Sequence, residues 1–430
     1  MKRFLKDKNV LKTCAIYQML KENAEKRHFS FHTPGHKVGA WDLTELSFSD
    51  SLLTPSGCIQ TAQTDIARIL GAAKSFILTD GSTCGVFAML YAAKRLGVKT
   101  VALPVKSHQS AYNACQVLGL KTVRICCKEF ESGRFCPPEQ EAVLTALFRA
   151  DALLLTSPTY YGDLVDLEPI LKACEAQNKL LLVDGAHGGH LHFNRATYAG
   201  EYAHFWVDGV HKSLPAFTQG AVVSAKKEEH VHALEEGVCK FRTTSPSYPI
   251  MASVEYAVKY PQNEWLEREV RAFAKEREKS VCVRGDYTKL FVAFKNVKEA
   301  VSRLEKKRIY AEFFDGESVC FYLSPAMEEK QFLRLKKELV SLSGEFGVFS
   351  KISKKQCPAP KKTPFLSKKT VWMALEKAQG RICAEDCGLF PPCVPVLIKG
   401  EKVTEEKIRL LQGKTNVFGL QDGKISVYEE

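Results

Sequence analysis

The chain has 430 residues, 45% of them hydrophobic and 26% charged, with a formal net charge of +12. That length can bury a large core and divide into two or more domains, and the composition is that of a folded globular protein rather than a disordered one. The basic residues are dispersed, the densest groups being Lys306-Lys307-Arg308 and the stretch from Lys354 to Lys369; the charge reads as solvated surface, and no nucleic-acid partner is expected.

Residues 10–27 repeat apolar positions at helical spacing, and Phe29-Ser30-Phe31-His32 reads as a short extended piece. Thr33-Pro34-Gly35-His36-Lys37 is a turn, because Pro34 fixes φ and Gly35 frees it. Residues 1–60 therefore read as an N-terminal arm. From Thr61 the pattern alternates. Strands are expected at 76–78, 100–103, 122–126, 152–156 and 180–184, with helices at 82–96, 108–118, 139–148 and 167–177. Further strands at 204–207 and 221–224 complete the set. Short apolar strands separated by amphipathic helices predict an α/β large domain over 61–262, with a mostly parallel sheet covered on both faces.

A long helix is expected over 252–280. Strands follow at 289–293 and 319–323, then a charged helix at 328–342 and a strand near 346–349. These assign 263–430 to a smaller C-terminal α/β domain. Within it Lys354 to Lys369, rich in Lys and Pro, reads as a linker or exposed loop. The tail from Val371 holds a helix, a turn at Pro391-Pro392 and closing strands.

In parallel sheets ligands bind beyond the carboxyl ends of the strands. Asp80, Thr156, Asp184 and Lys212 all fall at or just after expected strand ends, so they converge on one rim. Lys212 sits in Val210-His211-Lys212-Ser213-Leu214-Pro215. It follows Val183-Asp184-Gly185-Ala186-His187, and both follow Asp80-Gly81-Ser82-Thr83. A phosphate-holding turn, then an aspartate at a strand end, then a lysine is the chain order of a pyridoxal phosphate (PLP) enzyme. PLP needs a lysine for its Schiff base and a carboxylate beside its pyridine nitrogen.

Each residue also has a plainer reading. Lys212 could be a surface lysine, but it lies between apolar strands, where burial would lower its pKa and free its amine. Asp184 could cap a turn; as the pyridine partner it would keep the ring nitrogen protonated, with the small Ala186 fitting under a flat ring. Gly81, Ser82 and Thr83 open a helix, where N-capping and phosphate binding are compatible. His108 is either a plain helix-start residue or a ring stacked on the cofactor. His187, His190 and His192 invite a metal reading, but no carboxylate stands at suitable spacing.

Fifteen cysteines in a chain this long do not form a small disulfide framework. Cys383, Cys387 and Cys393 lack the paired spacing of a zinc site. The start, Met1-Lys2-Arg3-Phe4-Leu5, begins no run long enough for a signal peptide, and nothing approaches a membrane span. A cytoplasmic protein without a membrane partner is expected.

The chain resembles the Orn/Lys/Arg decarboxylase family, PLP enzymes with the aspartate-aminotransferase fold, and in particular its short bacterial members without an N-terminal wing domain. The likeness runs through Thr33-Pro34-Gly35-His36-Lys37, Asp80-Gly81-Ser82-Thr83, Ser157-Pro158-Thr159-Tyr160-Tyr161-Gly162 and Asp184 with Ala186-His187-Gly188-Gly189-His190. It continues through His211-Lys212-Ser213-Leu214-Pro215, Thr244-Ser245-Pro246-Ser247-Tyr248, Gly380-Arg381-Ile382, Phe390-Pro391-Pro392 and Gly400-Glu401. The resemblance implies Lys212 as the Schiff-base lysine, Asp184 as pyridine partner, His108 as stacking ring, Ser82 and Thr83 as phosphate contacts, and His211 as the histidine before the lysine. It also implies a homodimer or higher homo-oligomer, with Thr244-Ser245 facing the partner's cofactor. Two departures stand out: Gly185 replaces the family's glutamate, and Gly209-Val210 replace its Ser-Thr.

The function so implied is decarboxylation of lysine, arginine or ornithine to a polyamine-pathway amine. Glu401 and Asp386 are candidates for gripping the substrate's distal cation. Two alternatives stay open: another PLP reaction on the same fold, such as transamination or lyase chemistry, and a degenerate non-catalytic relative.

Overall fold

The computed structural model describes residues 5–26, 29–37, 41–130, 134–350, 352–356, 369–389, 393–414 and 416–429. Its centre is a seven-stranded sheet. In chain order the strands are β1 (Lys74–Leu78), β2 (Thr100–Pro104), β3 (Lys121–Ile125), β4 (Ala152–Thr156), β5 (Leu180–Gly185), β6 (Phe205–Asp208) and β7 (Ala221–Ala225). Their spatial order is β1-β7-β6-β5-β4-β2-β3. The pairs β2·β3, β2·β4, β4·β5 and β5·β6 are parallel, while β7 runs antiparallel to both β6 and β1. The interior strands bury nearly every residue, as a sheet packed on both faces requires.

Two apolar cores flank this sheet. One holds Leu181, Val183 and Trp206 and packs under the N-terminal helices; the other holds Leu182, Phe205 and Val207 under the helices Gly81–Arg95 and Glu228–Phe241. Alternate residues of one strand thus serve opposite cores.

A second sheet, antiparallel, pairs Phe313–Phe314 with Ser318–Tyr322, that strand with Lys289–Ala293, and Lys289–Ala293 with Val281–Cys282. It has its own core around Leu266, Phe273, Leu290 and Phe332. The tail adds small three-stranded sheets around a further core.

Several expectations change in detail. The expected helix over 10–27 is two helices, Lys8–Lys12 and Ala15–Glu25. The break is fixed by Glu255, whose buried carboxylate accepts from the backbone N–H groups of Ala15 (2.7 Å) and Ile16 (2.9 Å). The expected helix over 252–280 is likewise two, Tyr248–Val258 and Glu264–Glu276. Pro261 interrupts it by lacking an N–H, and Asn263 caps the second helix through Leu266 N–H at 3.0 Å. Phe29–His32 form no strand, and near 346–349 there is only an isolated bridge, Phe294 with Phe346. The start of the expected Lys354–Lys369 loop belongs to a strand, Ile352–Gln356, paired with Lys128–Phe130. Its remainder to residue 368 lies outside the described residues, as does Phe390-Pro391-Pro392. No described helix is long and apolar enough to cross a membrane.

Candidate active site

The carboxyl ends of β5 and β6 and the turn after β1 enclose a cavity of about 230 Å³. Gly81, Ser82, Thr83, His108, Asp184, Ala186, His187, His211 and Lys212 all line it. Thr244 and Ser245 are exposed and do not. Each element brings its residue for a local reason. Gly81 has φ +74°, which lets the chain turn sharply out of β1 into the helix Gly81–Arg95. Its N–H donates to Gln219 O at 2.9 Å, tying that turn to the loop before β7. The helix start then aims its free N–H groups and positive dipole end into the cavity.

Asp184 is the penultimate residue of β5 and is buried. One carboxylate oxygen accepts from Ala186 N–H at 3.1 Å. Lys212 lies in the single helical turn Val210–Ser213 that follows β6. Its Nζ is 3.1 Å from His187 Nε2. Burial lowers the Lys212 amine below its ordinary range, with the carboxylate of Asp184 opposing the shift and the ammonium of Lys289 adding to it. Burial, with the charge of Lys212, also holds His187 well below the usual histidine value. A neutral His187 presents Nε2 as an acceptor to the Lys212 amine.

His108 caps the helix Gln109–Val117 from the cavity side. Its Nδ1 accepts from Ser110 N–H (3.1 Å) and contacts Ser110 Oγ (2.8 Å). Because Nδ1 accepts from a backbone N–H, the ring proton belongs on Nε2, and burial lowers the pKa of the ring. In His211, Nδ1 donates to Gly220 O at 2.9 Å, which leaves Nε2 as the acceptor.

The arrangement fits PLP by a test internal to the chain. Ser82 Oγ is buried and has no hydrogen-bond partner, a hydroxyl donor left free at a helix start where a phosphate would sit. The aspartate, the flat histidine and the amine line the same cavity, and the lysine is the one whose burial favours its reactive form.

Pattern reading missed part of the lining. Thr156, expected at this rim, lines the cavity, and so do Lys106, Phe135, Thr159, Tyr160, Thr218, Gln219 and Val394, which the pattern does not single out as site residues. Tyr160 and Tyr322 stand edge-on to the His187 ring, at 5.4 and 5.9 Å between centroids. Behind Tyr322 lies Lys289, fully buried, its Nζ 4.7 Å from that ring's centroid. Only the family-like run Ser157–Gly162 pointed toward Tyr160. The two acids suggested for the distal cation are engaged elsewhere. Asp386 accepts from Gln109 Nε2 (3.1 Å) and Lys399 N–H (2.7 Å), and Glu401 from Lys407 Nζ (2.5 Å) and Ile398 N–H (3.0 Å). Neither lines the cavity.

Residues 40–338 match the family model described as the Orn/Lys/Arg decarboxylase major domain. The uncharacterized protein YaaO of Bacillus subtilis is 28% identical, over 96% of this chain and 98% of its own length. The arginine decarboxylase of Bacillus subtilis is 26% identical, over 91% and 92%. Among solved structures, the Francisella novicida lysine decarboxylase LdcF superposes with a TM-score of 0.76 at 17% identity, covering 97% of this chain and 81% of that one. A serine palmitoyltransferase from Sphingomonas wittichii superposes at 0.56 and 14% identity, covering 79% and 84%. At these identities the structural likeness shows a shared fold.

Proposed function

The chain belongs to the Orn/Lys/Arg decarboxylase family, and from that premise we propose that this PLP-dependent amino-acid decarboxylase acts on arginine in preference to lysine or ornithine. The relatives named as arginine decarboxylases align over more than nine-tenths of the chain. Those named as lysine decarboxylases in the same comparison align over 57%. The product would be the corresponding amine, agmatine, at the head of a polyamine route.

The observation that carries the reading is the convergence of Asp184, Lys212, His108 and the Gly81–Thr83 helix start on one cavity. PLP, when bound, supplies an aldehyde for the lysine and a ring that takes up the electron pair left on the α-carbon when carbon dioxide departs. Ser82, Thr83 and the helix N–H groups are the proposed phosphate holders. Asp184 is the proposed holder of a proton at the pyridine nitrogen. His108 offers a neutral flat ring to one face, and Ala186 a small contact. Lys212 would hold the cofactor through its amine and would be placed to return a proton to the substrate's α-carbon. His187 accepts from Lys212 and orients it. The aromatic wall of Tyr160 and Phe135, with Tyr322 packed behind Tyr160, would exclude water and give the substrate's aliphatic stem an apolar surface.

Thr244 and Ser245 are exposed in one protomer, which suits the proposal that they face a partner's cofactor in a homodimer. All cysteines of the described residues are free thiols, in keeping with a reducing, cytoplasmic setting.

The test is incubation with PLP and each of arginine, lysine and ornithine, measuring carbon dioxide and amine. Agmatine as the dominant product is expected. A keto acid in place of an amine, or no turnover with cofactor bound, would overturn the proposal.

A further inference from the structure

The two positions where this chain departs from the family pattern meet at one point of the rim. Gly185 of β5 lies opposite Asp208 of β6 in the parallel register. A Cβ on Gly185 would come within 2.9 Å of Val207 O and 3.1 Å of Asp208 Oδ1. One residue on, a Cβ on Gly209 would run into Ala186 O and would lie 2.7 Å from Ser82 Oγ. The space that a side chain at 185 would enter is therefore bounded first by the carbonyl of Val207 and next by the carboxyl of Asp208. The space beside Gly209 is occupied by the free hydroxyl of Ser82.

Asp208 is buried, at 2% exposure. Its Oδ2 accepts from Tyr198 OH (2.6 Å) and Trp206 Nε1 (3.1 Å), and its Oδ1 has no partner. Among the described residues no cation pairs with it, and Tyr198 and Trp206 are its hydrogen-bond partners. Burial pushes its carboxyl up to about 7. A buried acid with an unmatched oxygen weakens a fold, so packing alone does not account for it.

Its position supplies a reason. Successive residues of a strand face opposite sides of the sheet. Asp184 faces the cavity, while Gly185 and Asp208 face the other side, directly behind it. The turn that carries His187 starts at Gly185, whose carbonyl accepts from Gly188 N–H at 2.7 Å. Whatever fixes Gly185 fixes Asp184 on one flank and His187, with its contact to Lys212, on the other.

We infer that Asp208 is a positioning residue for the decarboxylation, holding the Asp184–His187 turn from β6 where a side chain at 185 would hold it from β5. This rests on the decarboxylase reading above. It makes the loss of a glutamate at 185 a relocation of the carboxyl to the neighbouring strand.

The test compares the PLP-loaded wild type with Asp208→Asn and Asp208→Gly. We expect kcat in both variants to fall about 10-fold or more, since small misplacements at a reacting centre carry penalties of this size, with a changed pH profile near neutrality. Variants with wild-type kcat and pH profile would overturn the inference. If Asp208→Gly does not fold, Asp208→Asn decides alone, and a wild-type pH profile in it counts against the inference. A wild type that holds cofactor but makes no amine would instead sink the decarboxylase reading. In that event the pH midpoint of the visible cofactor band, shifted or not in Asp208→Asn, still decides the role of Asp208.

Discussion

The amine of Lys212 lies 3.1 Å from Nε2 of His187, and both side chains line the same buried cavity as Asp184. The contact joins the turn after β5 to the turn after β6, so the position of the lysine depends on two strand ends at once. Replacing Lys212 by Ala removes the cavity-lining amine that contacts His187. Lys212→Ala should lose the visible band of lysine-linked cofactor and turn over no substrate, while His187→Phe, which keeps the ring shape and removes the acceptor, should retain the band and lose about 10-fold or more in kcat. Spectra and single-turnover rates of the two variants check this. A Lys212→Ala protein with wild-type absorbance would contradict the assignment.

Burial lowers the Lys212 amine, so the neutral, nucleophilic form is more populated at a given pH than in a free lysine. The rate at which apoprotein captures PLP should therefore rise with pH through a midpoint below that of Nα-acetyl-lysine measured alongside. A midpoint equal to the free amine's would mean that the site leaves Lys212 unperturbed.

Much of this was legible in the chain because it is local. Apolar runs such as Leu180–Val183 announce buried strands, and Asp184 and Lys212 follow such runs directly. The rest depends on contacts distant in sequence. Glu255 caps the start of a helix more than two hundred residues earlier by taking the N–H groups of Ala15 and Ile16, and no periodicity near Cys14 encodes that. Val394 of the tail and Phe135 of an irregular segment reach the cavity only because the chain folds back. The pairing of Gly185 with Asp208 across β5 and β6 is likewise invisible to a reading of either segment alone.

Two histidines away from the cavity set an acid limit on stability. Burial lowers His192 and His204 to about 4. In the unfolded chain they protonate near the ordinary value of 6.5. Between those values the unfolded state binds more protons, so stability is full above about 6.5 and is lost as pH falls toward 4. Melting temperatures recorded across that window should decline on acidification. The decline should be shallower in His204→Asn, which cannot protonate; an equally steep decline would remove His204 from the explanation.

Gly209 sits where a Cβ would collide with the carbonyl of Ala186. Backbone atoms cannot yield as a flexible side chain would. Gly209→Ala should cost about 1–3 kcal/mol, the usual penalty of overpacking, or more. Urea unfolding measures it, and cofactor affinity should fall in parallel because Ser82 Oγ lies 2.7 Å from the same point. A substitution tolerated without loss would mean that β6 can move away from Ala186.

Lys289 and Asp286 form a buried pair at 3.0 Å, with side chains 1% and 0% exposed. Asp286 also accepts from His190 of the large domain at 2.9 Å, so the pair fastens the second sheet beneath the first. Removing one member strands the other's charge. Lys289→Met should cost about 3–5 kcal/mol, and Asp286→Asn/Lys289→Met should recover part of that because no lone charge remains. Lys289 also supports Tyr322, which stands edge-on to His187. Loss of the cation should therefore lower kcat even in molecules that remain folded at low temperature. Urea melts of both variants, with rates measured well below their midpoints, separate the two effects. Unchanged rates would confine the pair to stability.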